Sequence, residues 1–331
     1  MKYIFILNIF TLRNNIKILC KKISRICKEK DIDYVIEINS KKKSTEDIVK
    51  KYKRKKVILA PVGGDGIINR VLNSMDKVNN RLCPIPYGTG NDLCRTIRRH
   101  LKNGVTKVDI VKINSKYYIN NACFGIDSDI ANSDIISNSK IPKSMRYNIS
   151  AIDGLFRYKL KYFKIYINNE IISGIKSTII VSNGMYYGGG YKVSPHSKLN
   201  DGYLEVYIVD KMPKTKILLL MLGINQGKHE ESKDVRLIKT KSVRIVTKEK
   251  IKCNIDGEIL KSDDFKIEIV EKGIELFYNK ELIEEILHWK MDYSLIYLCL
   301  MRGISYDRIL WLYCCTYLYR YVMWLLRNSE C

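Results

Sequence analysis

Residues 57–69 read VILAPVGGDGIIN. The apolar run at 57–60 makes a short strand suited to burial. It stops at Pro61, and the loop Gly63-Gly64-Asp65-Gly66 follows directly. Ile67, Ile68, Val71 and Leu72 then recur at helical spacing. A strand that ends in glycines and opens a helix presents backbone N–H groups to an anion. Glycine removes the Cβ that would hold a phosphate away, and the helix dipole favours negative charge. The pattern recurs at 87–92 (YGTGND), after a short strand at 83–86 and before another helix. Each loop carries an aspartate, Asp65 and Asp92. Carboxylates beside phosphates usually hold Mg²⁺ or water.

Residues 3–8 form a compact apolar run and residues 32–38 a second strand. Between them, Ile16, Leu19, Cys20, Ile23, Ile26 and Cys27 share one helix face, with lysines opposite. Ser44 and Asp47 have the spacing of a capping box before a short helix. This β-α-β-α-β order predicts a parallel, layered α/β domain over residues 1–115. From residue 108 the texture changes. Segments at 108–113, 116–122, 162–167, 177–181, 204–209, 242–246, 252–255 and 266–270 are short and often alternating, with Gly, Asn and Asp between them. They predict a mostly antiparallel β domain over 116–281, with helices at 145–158 and 215–225. Residues 282–331 form an apolar helical extension. Its run at 309–326 is borderline for the ~20 apolar residues of a membrane span, so a buried helix and a membrane-lying one both remain open.

The chain of 331 residues carries a formal net charge of +23, which suits an anionic membrane or nucleic acid, or reflects a lysine-rich solvated surface. No zinc-finger, helix-turn-helix or RNA-recognition signature accompanies the charge, so no specific nucleic-acid partner is expected. The ten cysteines are scattered without a C-x-x-C pair, as reduced core cysteines of a cytoplasmic protein would be. The G-x-x-x-x-G-K-[ST] phosphate loop is absent, which excludes an ordinary P-loop protein, and no G-x-G-x-x-G follows the first strand, which counts against a dinucleotide fold.

Six segments in order resemble the diacylglycerol kinase catalytic-domain family of soluble lipid kinases, which includes sphingosine kinases. They are VGGDGIIN (62–69), PYGTGNDLCR (86–95), VDIVKIN (108–114), INNACFGID (119–127), SNGMYYGGGYKVSP (182–195) with LNDGYL (199–204), and IDGEIL (255–260). The resemblance runs from residue 3 to about 281. It implies an α/β plus all-β fold: an NAD-kinase- and phosphofructokinase-like α/β domain followed by a β-sandwich, with ATP in the cleft between them. It implies that Gly63, Gly64, Asp65 and Gly66 meet the nucleotide phosphates, and that Gly88, Thr89, Gly90 and Asn91 help hold the nucleotide. Asp65, Asp92, Asp127 and Glu258 would form a carboxylate network around Mg²⁺. Asp256 would be the general base, and Asp201, with the carbonyl of Tyr203, would hold a structural metal. The implied activity is transfer of the ATP γ-phosphate to a lipid hydroxyl, foremost that of diacylglycerol, giving phosphatidic acid. The basic surface and the apolar tail both suit a membrane interface; the stretch at 295–326 lies beyond the region of resemblance and is expected to anchor the chain at a membrane reached peripherally, with a homodimer left open.

The chain departs from the family pattern at five places. Ile9-Phe10-Thr11 follows Asn8 where the family has Pro and then Ser-Gly. Ile67 stands where Thr is usual, Arg70 where Glu is common, and His196 and Asn200 where Asp is common. Two rival classes therefore stay open: a kinase of NAD or another soluble metabolite, and a membrane- or nucleic-acid-binding protein without turnover.

Overall fold

In a computed structural model, residues 1–12, 15–88, 90–125 and 160–287 are described. The expected helix at 145–158, the apolar run at 295–326, Thr89 and Asp127 lie outside them. The N-terminal part alternates as its periodicity predicts: β1 (Lys2–Asn8), the one-turn α1 (Ile9–Leu12), α2 (Ile16–Glu29), β2 (Tyr34–Asn39), α3 (Thr45–Lys50), β3 (Val57–Gly63), α4 (Asp65–Ser74), β4 (Asn80–Leu82), β5 (Ile85–Pro86) and α5 (Asp92–His100). β3 is buried at every position and pairs in parallel with β1, β4 and β5. That double-sided burial is why its sequence is apolar without alternation. α2 buries Leu19, Ile23, Ile26 and Cys27, the face that the spacing singles out. Ser44 and Asp47 close the expected capping box at the start of α3, an arrangement worth ~1 kcal/mol.

The remaining elements are β6 (Gly104–Ile113), β7 (Lys116–Tyr118), β8 (Asn121–Gly125), β9 (Lys161–Ile167), β10 (Glu170–Ser182), β11 (Leu204–Asp210), α6 (Lys214–Gly223), β12 (Val235–Thr240), β13 (Ser242–Ile255), β14 (Glu258–Tyr278) and α7 (Lys280–Leu287). Apart from the parallel contact of β14 with β4, these strands pair antiparallel. Their inward residues, among them Phe124, Phe163, Ile179, Val206, Ile245 and Phe265, form the main buried cluster of this part. Phe124 and Phe265 meet edge to face at 4.9 Å, a geometry the ring quadrupoles favour.

Several short segments read separately in the sequence are single long strands. The stretches at 242–246 and 252–255 are both in β13, whose register against β14 shifts between Val246 and Ile251. The stretch at 266–270 is the middle of the 21-residue β14. β14 pairs with β13 and β6 on the antiparallel side and, at Glu275 and Leu276, in parallel with β4. One hydrogen-bonded path therefore runs from β12 through β13, β14, β4 and β3 to β2. Met1–Glu284 forms one unit by its internal contacts. Among the described residues no helix is long and apolar enough to cross a membrane.

Candidate functional site

β3 and β5 are parallel neighbours, with Val62 opposite Ile85 and Gly63 opposite Pro86. Both glycine loops therefore leave the same end of the parallel sheet, the carboxyl end where open α/β folds bind ligands. The loops touch backbone to backbone: a Cβ on Gly88 would lie 2.5 Å from the Cα of Gly64. Asn91 shapes the second loop from a left-handed backbone (φ +60°) that Asn tolerates better than most residues. Its Oδ1 accepts from the Gly88 N–H at 3.1 Å, and its Nδ2 donates to the Gly88 carbonyl at 2.7 Å.

Asp65 does more than end a strand. Its carboxylate accepts from the backbone N–H groups of Asp92 (3.0 Å) and Leu93 (3.2 Å), at the head of α5. An acid at the start of one helix thus caps the next, satisfying two of its orphan donors. No side chain caps α4 itself, whose N-cap is Gly64. Gly90 lets the acid approach, since a Cβ there would sit 2.8 Å from Asp65 Oδ2. Asp92 reaches the other way. It accepts from Arg95 Nη1 (2.6 Å) and from the backbone N–H of Gly189 (2.8 Å), within the run Gly188-Gly189-Gly190 where φ is positive throughout. The glycine run therefore ties the β domain to the second loop.

The third element is the β13–β14 hairpin. Asp256 (φ +48°) and Gly257 (φ +86°) form its two-residue turn, the chemistry a primed hairpin turn demands. The turn packs on the first glycine loop: a Cβ on Gly257 would lie 3.3 Å from the Gly66 nitrogen, and one on Gly66 would lie 3.3 Å from Glu258 Oε1. The Asp256 carboxylate turns inward to three successive backbone N–H groups, those of Ile119 (2.7 Å), Asn120 (3.1 Å) and Asn121 (2.9 Å). Among the described residues, no side chain donates a hydrogen bond to half-buried Glu258. The sequence expectation put the reacting carboxylate at Asp256; the fold holds Asp256 in a backbone nest and leaves Glu258 facing the glycine loop.

Burial sets the electrostatics. It raises Asp256 to about 7 against the pull of its three N–H donors, with a smaller contribution from Asp65. Burial, and then the charge of Asp65, raise Asp92 to about 6. Asp65 is itself raised, again chiefly by burial. Burial also raises Glu258, with Arg70 opposing it. Arg70 holds Glu46 of α3 at 2.8 Å, so the departure at position 70 comes with its own acidic partner.

The site brings together Gly63, Gly64, Asp65, Gly66, Gly88, Gly90, Asn91, Asp92, Asp256 and Glu258. Asp201 and Tyr203 belong elsewhere, beside the β11–β12 edge. The Asp201 carboxylate accepts from Lys239 Nζ at 2.7 Å, and the same ammonium lies 3.8 Å from Glu205 Oε1 and 4.8 Å from the centre of the Tyr203 ring. Among the described residues no three His, Cys, Asp or Glu side chains are placed to hold a metal. The expectation of a structural metal at Asp201 therefore does not fit, because a lysine ammonium takes the cation's place. His196 is exposed and 3.3 Å from Glu230, as a surface histidine would be. Sequence reasoning missed Arg95, the Gly189 N–H and the Ile119–Asn121 nest. The first lies inside the quoted second loop; the other two act through backbone atoms that no residue type announces.

Residues 2–117 match the model of the diacylglycerol kinase catalytic domain, and residues 121–278 match the YegS C-terminal NAD kinase β-sandwich-like domain. A diacylglycerol kinase of Staphylococcus epidermidis is 29% identical over 244 residues, covering 70% of this chain and 77% of its own. One of Staphylococcus saprophyticus is 28% identical over 247 residues, covering 69% and 80%. The crystal structure of a diacylglycerol kinase from Bacillus anthracis superposes with a TM-score of 0.68 at 22% identity, over 84% of this chain and 97% of that one. The α/β domain and the NAD-kinase-like β-sandwich are thus those of a lipid-kinase fold. The chain belongs to the diacylglycerol kinase catalytic-domain family.

Proposed function

We propose that the protein transfers the γ-phosphate of ATP to a lipid hydroxyl, with diacylglycerol as acceptor and phosphatidic acid as product. The observation that carries this reading is the convergence of both glycine loops and the Asp256–Glu258 turn on one point. Phosphoryl transfer asks a protein for positioned phosphates, neutralised charge and an oriented acceptor. The uncapped N-terminus of α4 and the glycines at 63, 64 and 66 suit the phosphates. Gly88, Thr89, Gly90 and Asn91 would border the nucleotide. Mg²⁺ is ordinarily held by one or two carboxylates together with substrate phosphates. Glu258, to which no described side chain donates, fits that sparse donor set, with Asp127 as a further candidate; Asp92 would have to exchange the Arg95 guanidinium for the ion, which would supply charge neutralisation.

Asp256 is our candidate base. A carboxylate offers about four lone-pair positions; the Asn120 N–H is shared between both oxygens at 3.1 and 3.2 Å, and an acceptor hydroxyl would take one of those two places. Its raised proton affinity, about 7, suits a group that takes and returns a proton near neutral pH. Glu258 is the alternative within the same turn.

The test is transfer of labelled phosphate from ATP to diacylglycerol, monoacylglycerol, sphingosine and phosphatidylglycerol in mixed micelles, with Asp256→Asn as control. Labelling of diacylglycerol by the wild type alone supports the reading. Labelling of NAD with every lipid untouched would replace it with a soluble-metabolite kinase.

A further inference from the structure

The outer face of the β domain carries a pattern that phosphoryl transfer does not use. Strand register fixes which side chains share it. In β9 and β13, Phe163, Ile165, Ile167, Val243, Ile245, Ile251 and Cys253 point into the core, so the alternate positions face outward. One row across four strands is Ile171, Tyr166, Arg244 and Lys266. Nearer the active-site turn, Ile175 stands opposite Tyr162, and Lys248 lies over the Tyr162 ring at 5.5 Å. Next come Lys252 opposite Lys261, and then Ile259, adjacent to Glu258.

This face is apolar, aromatic and basic together. Ile171 is 60% exposed, with Tyr162, Ile175 and Ile259 between 42% and 44%. Lys164 and Arg244 flank the Tyr166 ring at 5.1 and 5.6 Å. Asp264 neutralises Arg244 at 2.7 Å, but Lys248, Lys252 and Lys261 form no ion pair among the described residues. Like charges directly opposite in a ladder destabilise it. This hairpin sets them opposite twice, Arg244 with Lys266 and Lys252 with Lys261. An anionic surface relieves that repulsion, and exposed Tyr and Ile side chains suit a headgroup boundary.

We propose that the outer face of β9, β10, β13 and β14 docks on an anionic lipid bilayer and so brings the Asp256–Glu258 turn to the membrane plane. The proposal rests on the lipid-kinase reading for its purpose, but its test needs no turnover. Full-length protein without ATP is sedimented with vesicles of phosphatidylcholine alone and of phosphatidylcholine with phosphatidylglycerol. The wild type is expected to bind the anionic vesicles and to be released by salt. The triple variant Lys248→Glu, Lys252→Glu, Lys261→Glu is expected to bind them at least ~10-fold more weakly, with an unchanged melting temperature. Tyr162→Ser with Ile175→Ser should weaken binding without changing its salt dependence. In micelles of diacylglycerol and neutral detergent the triple variant keeps its kinase rate. Equal vesicle binding by wild type and triple variant would overturn the proposal. Loss of binding in a protein that labels no lipid would keep the docking face and remove the kinase reading instead.

Discussion

The Cα atom of Gly64 lies where a side chain on Gly88 would begin, 2.5 Å from its ideal Cβ and beside backbone with no freedom to yield. Gly64 is less confined, since a Cβ there meets only the Gly88 Cα at 3.8 Å. The two alanine variants should therefore differ in kind. Gly88→Ala should lose ~1–3 kcal/mol of stability, the usual cost of overpacking, visible as a lower melting temperature. Gly64→Ala should melt as the wild type does but raise the KM for ATP, because the new methyl enters the phosphate loop.

Asp65 couples the loops by hydrogen bonds and by charge. Its carboxylate caps α5 through the Asp92 and Leu93 N–H groups and helps to raise Asp92. Asp65→Ala should cost ~0.5–2 kcal/mol of stability, as lost helix caps do. It should also let the Asp92 carboxyl fall toward the ordinary carboxylate range, which titration of the Gly189 amide resonance would follow.

How much of this was legible depends on what kind of atom does the work. The parallel layer followed from apolar strands that end in glycine, because double-sided burial and φ freedom leave marks in residue type. The roles of Asp65 and Asp92 were legible only as acids beside phosphates; that Asp65 binds the first N–H groups of α5 depends on the pairing of β3 with β5, and that Asp92 binds the Gly189 N–H depends on a loop 97 residues away. The register shift in β13 hid one strand as two, since the break in alternation looks like a loop. Asp201 misled because Asp-Gly fits a metal turn equally well, and its partner Lys239 lies 38 residues away.

Asp256 gives opposite pH signs for rate and for stability. Burial holds its carboxyl at about 7, and a base must be ionised to accept the hydroxyl proton. The value of kcat/KM should therefore fall about ten-fold per pH unit below that point. For folding, the raised acid contributes stability that is full below the ordinary carboxylate range and lost as pH rises through about 7. Asp256→Asn should lower the rate by ~10²–10⁴ and abolish its acid limb. Glu258→Gln should keep the limb with a smaller loss. If the limb instead vanishes in Glu258→Gln and survives in Asp256→Asn, the base is Glu258.

Lys239 makes the last prediction one of metal independence. Its ammonium lies 2.7 Å from Asp201 and 3.8 Å from the buried Glu205, over the Tyr203 ring. A divalent ion there would have to displace it. The nucleotide-free wild type should melt at one temperature with EDTA or with added Mg²⁺. Lys239→Met keeps the stem and removes the charge, leaving two carboxylates to repel each other. Half of the lysine side chain is exposed, so the loss should be modest, about 1 kcal/mol or less. Added Mg²⁺ should recover part of it in the variant alone. A wild type whose melting temperature falls in EDTA and returns with Mg²⁺ would show instead that Lys239 yields its place to an ion.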